Sequence, residues 1–225
     1  MKTNNNRQNT HNEIDRIFRV LLPTWNMAER PEQAALCHRM LEAMLEGGIA
    51  LCDAGTGIGK TYAYLVAGTV YSRFRTACGL GPKPILVSTS SIALQTAARD
   101  EYLPLLSDVL TEDGMIVQPL RAVIRKGKSH YVCDMRLEQR LGQLDLQKKN
   151  WKAGAALLSL QGQLDMDEAA HLSGYDRERV CVPQTCDCQR ESCRYASLDT
   201  TSSGTTTQIG LYGKNMFCCM SRLSG

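Results

Sequence analysis

The chain has 225 residues, 43% hydrophobic and 22% charged, the composition of a globular protein rather than a fibrous or disordered one. Its 26 Lys/Arg and 23 Asp/Glu leave a formal charge of +3, which neither demands nor excludes a nucleic-acid partner. No apolar run approaches the roughly 20 residues of a membrane span and residues 2–16 are polar, so a cytoplasmic chain with no membrane association is expected.

The Asn-rich start predicts a disordered N-terminus over residues 1–12. Helical spacing then sets Ile14, Ile17, Phe18 and Leu21 on one face, with Pro23 stopping the run. A second helix opens at Pro31, carries Met40, Leu41, Met44 and Leu45 as an apolar stripe, and ends at Gly47-Gly48. Ile49 to Cys52 is an unbroken apolar run that predicts a strand buried on both faces. The Gly-rich stretch Asp53 to Thr61 follows, then a helix over Tyr62–Tyr71, a buried strand over Pro84–Ser88, and a helix from Ile92 to Leu106 closing near Pro104. A third strand is predicted within Val117–Ile124. This order predicts an α/β fold with a parallel sheet over residues 13–125.

A boundary falls near residue 125, where the character changes. Residues 121–152 hold nine Lys/Arg against three acidic residues, a local surplus of six positive charges, read either as a solvated face or as a groove tracking phosphates. Lys152–Leu172 predicts helix. Five of the ten cysteines congregate at Cys133, Cys181, Cys186, Cys188 and Cys193. In a reducing compartment such a group points to metal or cluster ligation. Residues 126–198 form this second domain, and 199–225, rich in Ser, Thr and Gly, an irregular or truncated tail.

Ala54-Gly55-Thr56-Gly57-Ile58-Gly59-Lys60-Thr61 fits the P-loop pattern with Ala in place of its first Gly. Glycines let successive backbone N–H groups face phosphate oxygens, and the next helix adds the positive end of its dipole. Lys60 would reach the β and γ phosphates and the Thr61 hydroxyl would ligate magnesium, giving an ATP or GTP site. Upstream, Gln33 in Arg30-Pro31-Glu32-Gln33 is either an adenine-reading amide or a solvated first-turn residue.

These blocks resemble the DinG/XPD group of superfamily 2 DNA helicases. The resemblance rests on Arg30-Pro31-Glu32-Gln33 as the Q motif, Asp53 to Thr61 as motif I, Leu86 to Gln95 as motif Ia, and Lys126 to Cys133 as the segment bearing a first iron-sulfur ligand. It implies a RecA-like P-loop parallel sheet, a partial motor domain, with a small cysteine-rich iron-sulfur domain inserted. It also implies ATP-dependent 5′ to 3′ unwinding by a monomer. Arg30 and Gln33 would recognise adenine, while Ala54, Gly55, Thr56, Gly57, Ile58, Gly59, Lys60 and Thr61 would hold ATP and Mg2+, Lys60 and Thr61 being catalytic. Thr89, Ser90 and Gln95 would serve single-stranded DNA, or, for Ser90 above all, ordinary helix capping. Asp53 stands where the family more often has Glu.

The family's cluster ligands map onto Cys133, Cys181, Cys186 and Cys193 for a 4Fe-4S cluster. Cys188 competes with Cys186, and zinc on the four later cysteines is the alternative metal. Asp167-Glu168-Ala169-Ala170-His171 imitates the family's acidic box but carries an extra Ala and precedes the cysteines, so it is read as coincidence. With that box and a second lobe not visible, the chain reads as an N-terminal fragment inactive alone in unwinding. Two rivals stand beside the helicase: a P-loop NTPase or kinase with a zinc-bound lid, and a non-catalytic metal-stapled module that binds nucleic acid.

Overall fold

The structure, a computed structural model, describes residues 2–81, 83–144, 151–168, 172–185, 193–195 and 216–220, with backbone alone for 2–4, 151–153, 168 and 216–220. Two compact units emerge, Met1–Arg125 with Met216–Gly225, and Lys126–Asn215.

The first unit opens on helix α1, Lys2–Arg16, where composition predicts disorder up to residue 12. Partners distant in sequence hold it. Arg7 pairs with Glu42 and with Glu46 at 3.0 Å, and Arg73 grips Glu13 at 2.8 and 3.1 Å, while Ile14 is fully buried. The helix at Pro23 runs one residue past the ring, to Thr24, while the one at Pro104 continues to Glu112. A π-helical turn, Ile17–Leu21, leads into α2, Leu22–Thr24. A second, Ala98–Tyr102, joins α5 (Ile92–Ala97) to α6 (Leu103–Glu112). In each case the residue before the proline donates its N–H five residues back, Leu22 to Ile17 and Leu103 to Ala98. The wider turn makes room for a ring that would otherwise strike the carbonyl four residues back.

Helix α3, Pro31–Glu46, begins with proline in its first turn and ends at Gly47, whose φ of 68° is the left-handed cap that glycine adopts without strain. Helix α4, Lys60–Ala77, packs along it. Their core joins Phe18, Leu41, Val66, Val70, Leu106 and Leu110, all 2% exposed or less.

Strands β1 (Ile85–Ser88), β2 (Arg121–Arg125) and β3 (Met216–Met220) form one sheet in the order β1-β3-β2. β3 runs antiparallel to both neighbours, in register from Ile85↔Cys219 to Ser88↔Met216 and from Arg121↔Met220 to Arg125↔Met216. Three expectations are corrected. Residues 49–52 form no strand, and Ile49 and Leu51 are almost wholly exposed, since a strand forms only where a neighbour completes its ladder. The described pairs are antiparallel rather than parallel. A five-residue strand lies inside the stretch expected to be irregular. Among the described residues, Ile85, Val87, Ala122 and Ile124 of the sheet meet the core, whereas Leu86 and Val123 are about half exposed.

The second unit holds α7 (Asp134–Gly142), α8 (Trp151–Ser159) and α9 (Gly174–Val180) around Val132, Leu137, Leu157, Leu160, Met166 and Val180. Helix α8 stops well short of the predicted residue 172. A short 3-10 turn, Met166–Glu168, follows it. No described helix is long and apolar enough to cross a membrane.

Candidate nucleotide-binding site

Local geometry makes Asp53–Thr61 an exposed, turned loop ahead of α4. Gly57 and Gly59 have φ of 83° and 86°, a region closed to most side chains, and Gly59 is the residue before the first turn of α4. The free N–H groups of that turn face the loop as an anion-binding end. The Lys60 ammonium folds back to donate to the carbonyls of Ala54 and Gly55, both at 2.8 Å. The Thr61 hydroxyl is engaged with Tyr64, whose phenol burial pushes up in pKa and this hydrogen bond draws partly back.

The start of α3 clasps the same loop. The Arg30 guanidinium donates to the Gly57 carbonyl at 2.6 Å, and the Gln33 amide donates to the Gly59 carbonyl at 2.7 Å. Gln33 is thus 5% exposed, a buried amide rather than a solvated first-turn residue. Periodicity could not reveal the Arg30 and Gln33 contacts, because both partners are backbone carbonyls 26 and 27 residues away. Tyr64 was also missed, although its place three residues after Thr61 on one helix face is the signal that could have found it.

At the C-terminal end of β1, the Thr89 hydroxyl accepts from the Ser91 N–H at 3.2 Å. Ser91, not Ser90, caps α5, its hydroxyl accepting from the Leu94 N–H at 3.2 Å. Ser90 is exposed. Gln95 is fully buried, and both its amide atoms lack a hydrogen-bond partner among the described residues.

In the second unit, three of the cysteines singled out by sequence stand on segments that touch one another. Val132 and Cys181 form a β-bridge, the Cys133 N–H donates to Val180 at 2.8 Å, and the Val182 N–H donates to Tyr131 at 2.8 Å. Beside Cys193, Arg194 Nε binds both carboxylate oxygens of Asp134 at 2.9 and 3.1 Å, and Tyr195 packs on Tyr131 with ring centroids 5.5 Å apart. Cys133 is buried. Cys186 and Cys188 lie outside the described residues, and among those described no group of three or more His, Cys, Asp or Glu side chains is placed to hold a metal ion. Three thiols on converging segments still suit a thiolate-bound cluster in donor chemistry.

Part of the basic surplus is consumed internally. Lys126, its side chain 7% exposed, reaches Asp165 at 2.5 Å and Asp167 at 2.9 Å, and Arg140 pairs with Asp176 at 2.8 Å. Asp167, the first residue of the imitation acidic box, also meets Arg177 and His130. Burial would raise its pKa, but hydrogen bonds from Lys126 and Arg177 outweigh that and hold it below the usual carboxylate value. Lys148 and Lys149 lie outside the described residues.

The sequence is 31% identical over 131 residues to the 3′-5′ exonuclease DinG of Bacillus subtilis, covering 58% of this chain and 13% of that protein. It is 33% identical over 110 residues to the ATP-dependent DNA helicase YoaA of Escherichia coli, covering 49% and 15%. With the ATP-dependent helicase DinG of Mycobacterium tuberculosis (strain H37Rv) it shares 36% over 120 residues, covering 53% and 17%. In each pairing the chain spans less than a fifth of its relative's length. No protein-family model matches the chain, and no solved structure matches it. Over about half of its length, the chain is similar to the DinG and YoaA proteins.

Proposed function

We propose that this chain performs the nucleotide-gripping step of an ATP-dependent DNA motor that moves 5′ to 3′ along single-stranded DNA. The observation that carries the reading is the clasp itself: a loop with two left-handed glycines, closed by Lys60 from within and by Arg30 and Gln33 from α3. On binding, the triphosphate oxygens take the place of the Ala54 and Gly55 carbonyls as acceptors for the Lys60 ammonium, a charge-assisted exchange. Thr61 would hold Mg2+, which would supply charge neutralisation at the phosphates. Arg30 and Gln33 then couple adenine to the loop, because the groups that would read the base already hold the Gly57 and Gly59 carbonyls. The names of the relatives divide between exonuclease and helicase, and the phosphate loop favours the motor.

On this reading the first unit is part of a RecA-like domain, and Thr89, Ser90 and Gln95 mark where the strand of DNA passes. Residues 126–198 would carry a 4Fe-4S cluster on Cys133, Cys181, Cys193 and Cys186, with zinc as the competing occupant. A cluster there would supply rigid cross-linking to a unit with a small core. The working protein would be a cytoplasmic monomer.

Calorimetry of the intact chain with MgATP tests the proposal. Binding that Lys60→Ala weakens roughly 10–150-fold, together with oligo-dT affinity that falls steeply as salt rises, is the expected result. Folded protein that takes up no nucleoside triphosphate would overturn it.

A further inference from the structure

Away from the phosphate loop, α1 and α3 bring two histidines nitrogen to nitrogen. His11 Nδ1 lies 2.8 Å from His38 Nδ1, with the ring planes inclined at 22° and the centroids 5.0 Å apart. Each outer nitrogen meets a carboxylate, His11 Nε2 with Glu42 at 2.5 Å and His38 Nε2 with Asp15 at 3.3 Å. An ionised carboxylate only accepts, so both Nε2 atoms carry hydrogen, and both Nδ1 atoms of neutral imidazoles are then bare lone pairs. Two lone pairs facing each other at 2.8 Å repel unless a cation lies between them, either a shared proton or a metal ion. The surrounding charge favours one: Glu42, Glu46 and Asp15 stand against Arg7 and Arg19, a surplus of one negative charge.

We infer that His11 and His38 form a two-imidazole site for a divalent transition metal, with water completing the coordination. Metal-binding histidines characteristically donate their remote N–H to a carboxylate, which sets the tautomer and strengthens the donor nitrogen. Here both do. Two metal–nitrogen bonds of roughly 2.0–2.1 Å across 2.8 Å subtend about 85°, close to the square angle of tetragonal copper(II) or nickel(II) and far from a tetrahedral one. Both side chains are about one quarter exposed or less, enough to admit an ion and its waters. A bound ion would clip α1 onto α3. The site stands independently of the nucleotide reading.

The test is titration of the intact chain with Ni2+ alone, followed by calorimetry, thermal unfolding and imidazole 15N–1H spectra. Thiols also take nickel, so the decisive quantity is the difference between proteins. The wild type should bind one more Ni2+ than His11→Gln or His38→Gln, and its ion-dependent rise in Tm should shrink in both variants. Asp15→Asn keeps both nitrogens and should weaken that site about 10–100-fold. In the wild type, the ring signals of His11 and His38 should broaden while those of His130 stay sharp. Equal stoichiometry in all proteins overturns the inference, as does a ring spectrum of His11 and His38 unchanged by Ni2+, the result of a pair that shares only a proton. Should a Gln variant fail to fold, the wild-type spectra decide alone.

Discussion

Alanine at Gly59 would strike the loop twice. Its φ of 86° costs a residue with a β-carbon about 1–2 kcal/mol. That carbon would stand 2.0 Å from Gln33 Nε2 and 2.9 Å from Gln33 Cδ, so the amide must leave. Gln33 is 5% exposed and donates to the Gly59 carbonyl at 2.7 Å. Displacing a buried, bonded amide adds about 1–3 kcal/mol, giving about 2–5 kcal/mol in all. Gly57 is the control, with a φ of 83° but nothing within 4 Å of an added β-carbon, so Gly57→Ala should cost only the backbone part, about 1–2 kcal/mol. In a Gln33→Ala background, Gly59→Ala should fall to that same smaller value, a coupling of about 1–3 kcal/mol between the two positions. Urea unfolding followed by circular dichroism, on the three singles and the Gln33→Ala/Gly59→Ala double, measures each quantity. Equal losses for Gly57→Ala and Gly59→Ala, or additivity with Gln33→Ala, would refute the clasp.

Lys60 is exposed and among the described residues is bonded only to loop carbonyls, so Lys60→Ala should move the unfolding midpoint little while weakening MgATP binding roughly 10–150-fold, the worth of a lost charge-assisted contact of about 1.5–3 kcal/mol. Unchanged affinity would place the phosphates elsewhere. Asp167, held below its ordinary pKa of 3.8, contributes stability that is present above the unfolded value and lost as pH falls through its lower folded value. Asp167→Asn should flatten that acid loss below about pH 5, read from the urea midpoint. Lys126 acts in the opposite sense: burial lowers its pKa, but Asp165 and Asp167 raise it above 10.5, so its contribution persists below that pH and fades above it. Burial pushes the Cys37 thiol far up, whereas Cys52 is exposed; maleimide labelling with mass spectrometry should mark Cys52 in the native protein and Cys37 only after unfolding.

What could be read from sequence was set by local chemistry. Pro31 and Gly47 bound α3 because one lacks an N–H and the other tolerates a left-handed cap, and Gly57 and Gly59 announce their backbone for the same reason. The clasp is half legible: the sequence points to Arg30 and Gln33 as readers of a base, while their bonds to loop carbonyls 27 and 26 positions away leave no mark in the local pattern. Residues 49–52 show the limit. Their apolar run carries the pattern of a buried strand, yet pairing is decided by what lies alongside. Met216–Met220 carries a similar run and does find neighbours, hidden in sequence by the Ser/Thr/Gly stretch before it. Pro23 and Pro104 were recognised as breakers, but one extra residue per turn accommodates them. The histidine pair was invisible because its members are 27 positions apart and each alone is an ordinary helix residue.

The ladder pair Arg125↔Met216 joins the residues flanking Lys126–Asn215. An excursion of ninety positions therefore leaves and returns through facing points of two antiparallel strands, the geometry that a two-residue Asn-Gly link closes into a hairpin. Nature's loop is here large enough to be a body of its own. Excising it should leave the remaining fold a short, natural seam to close across.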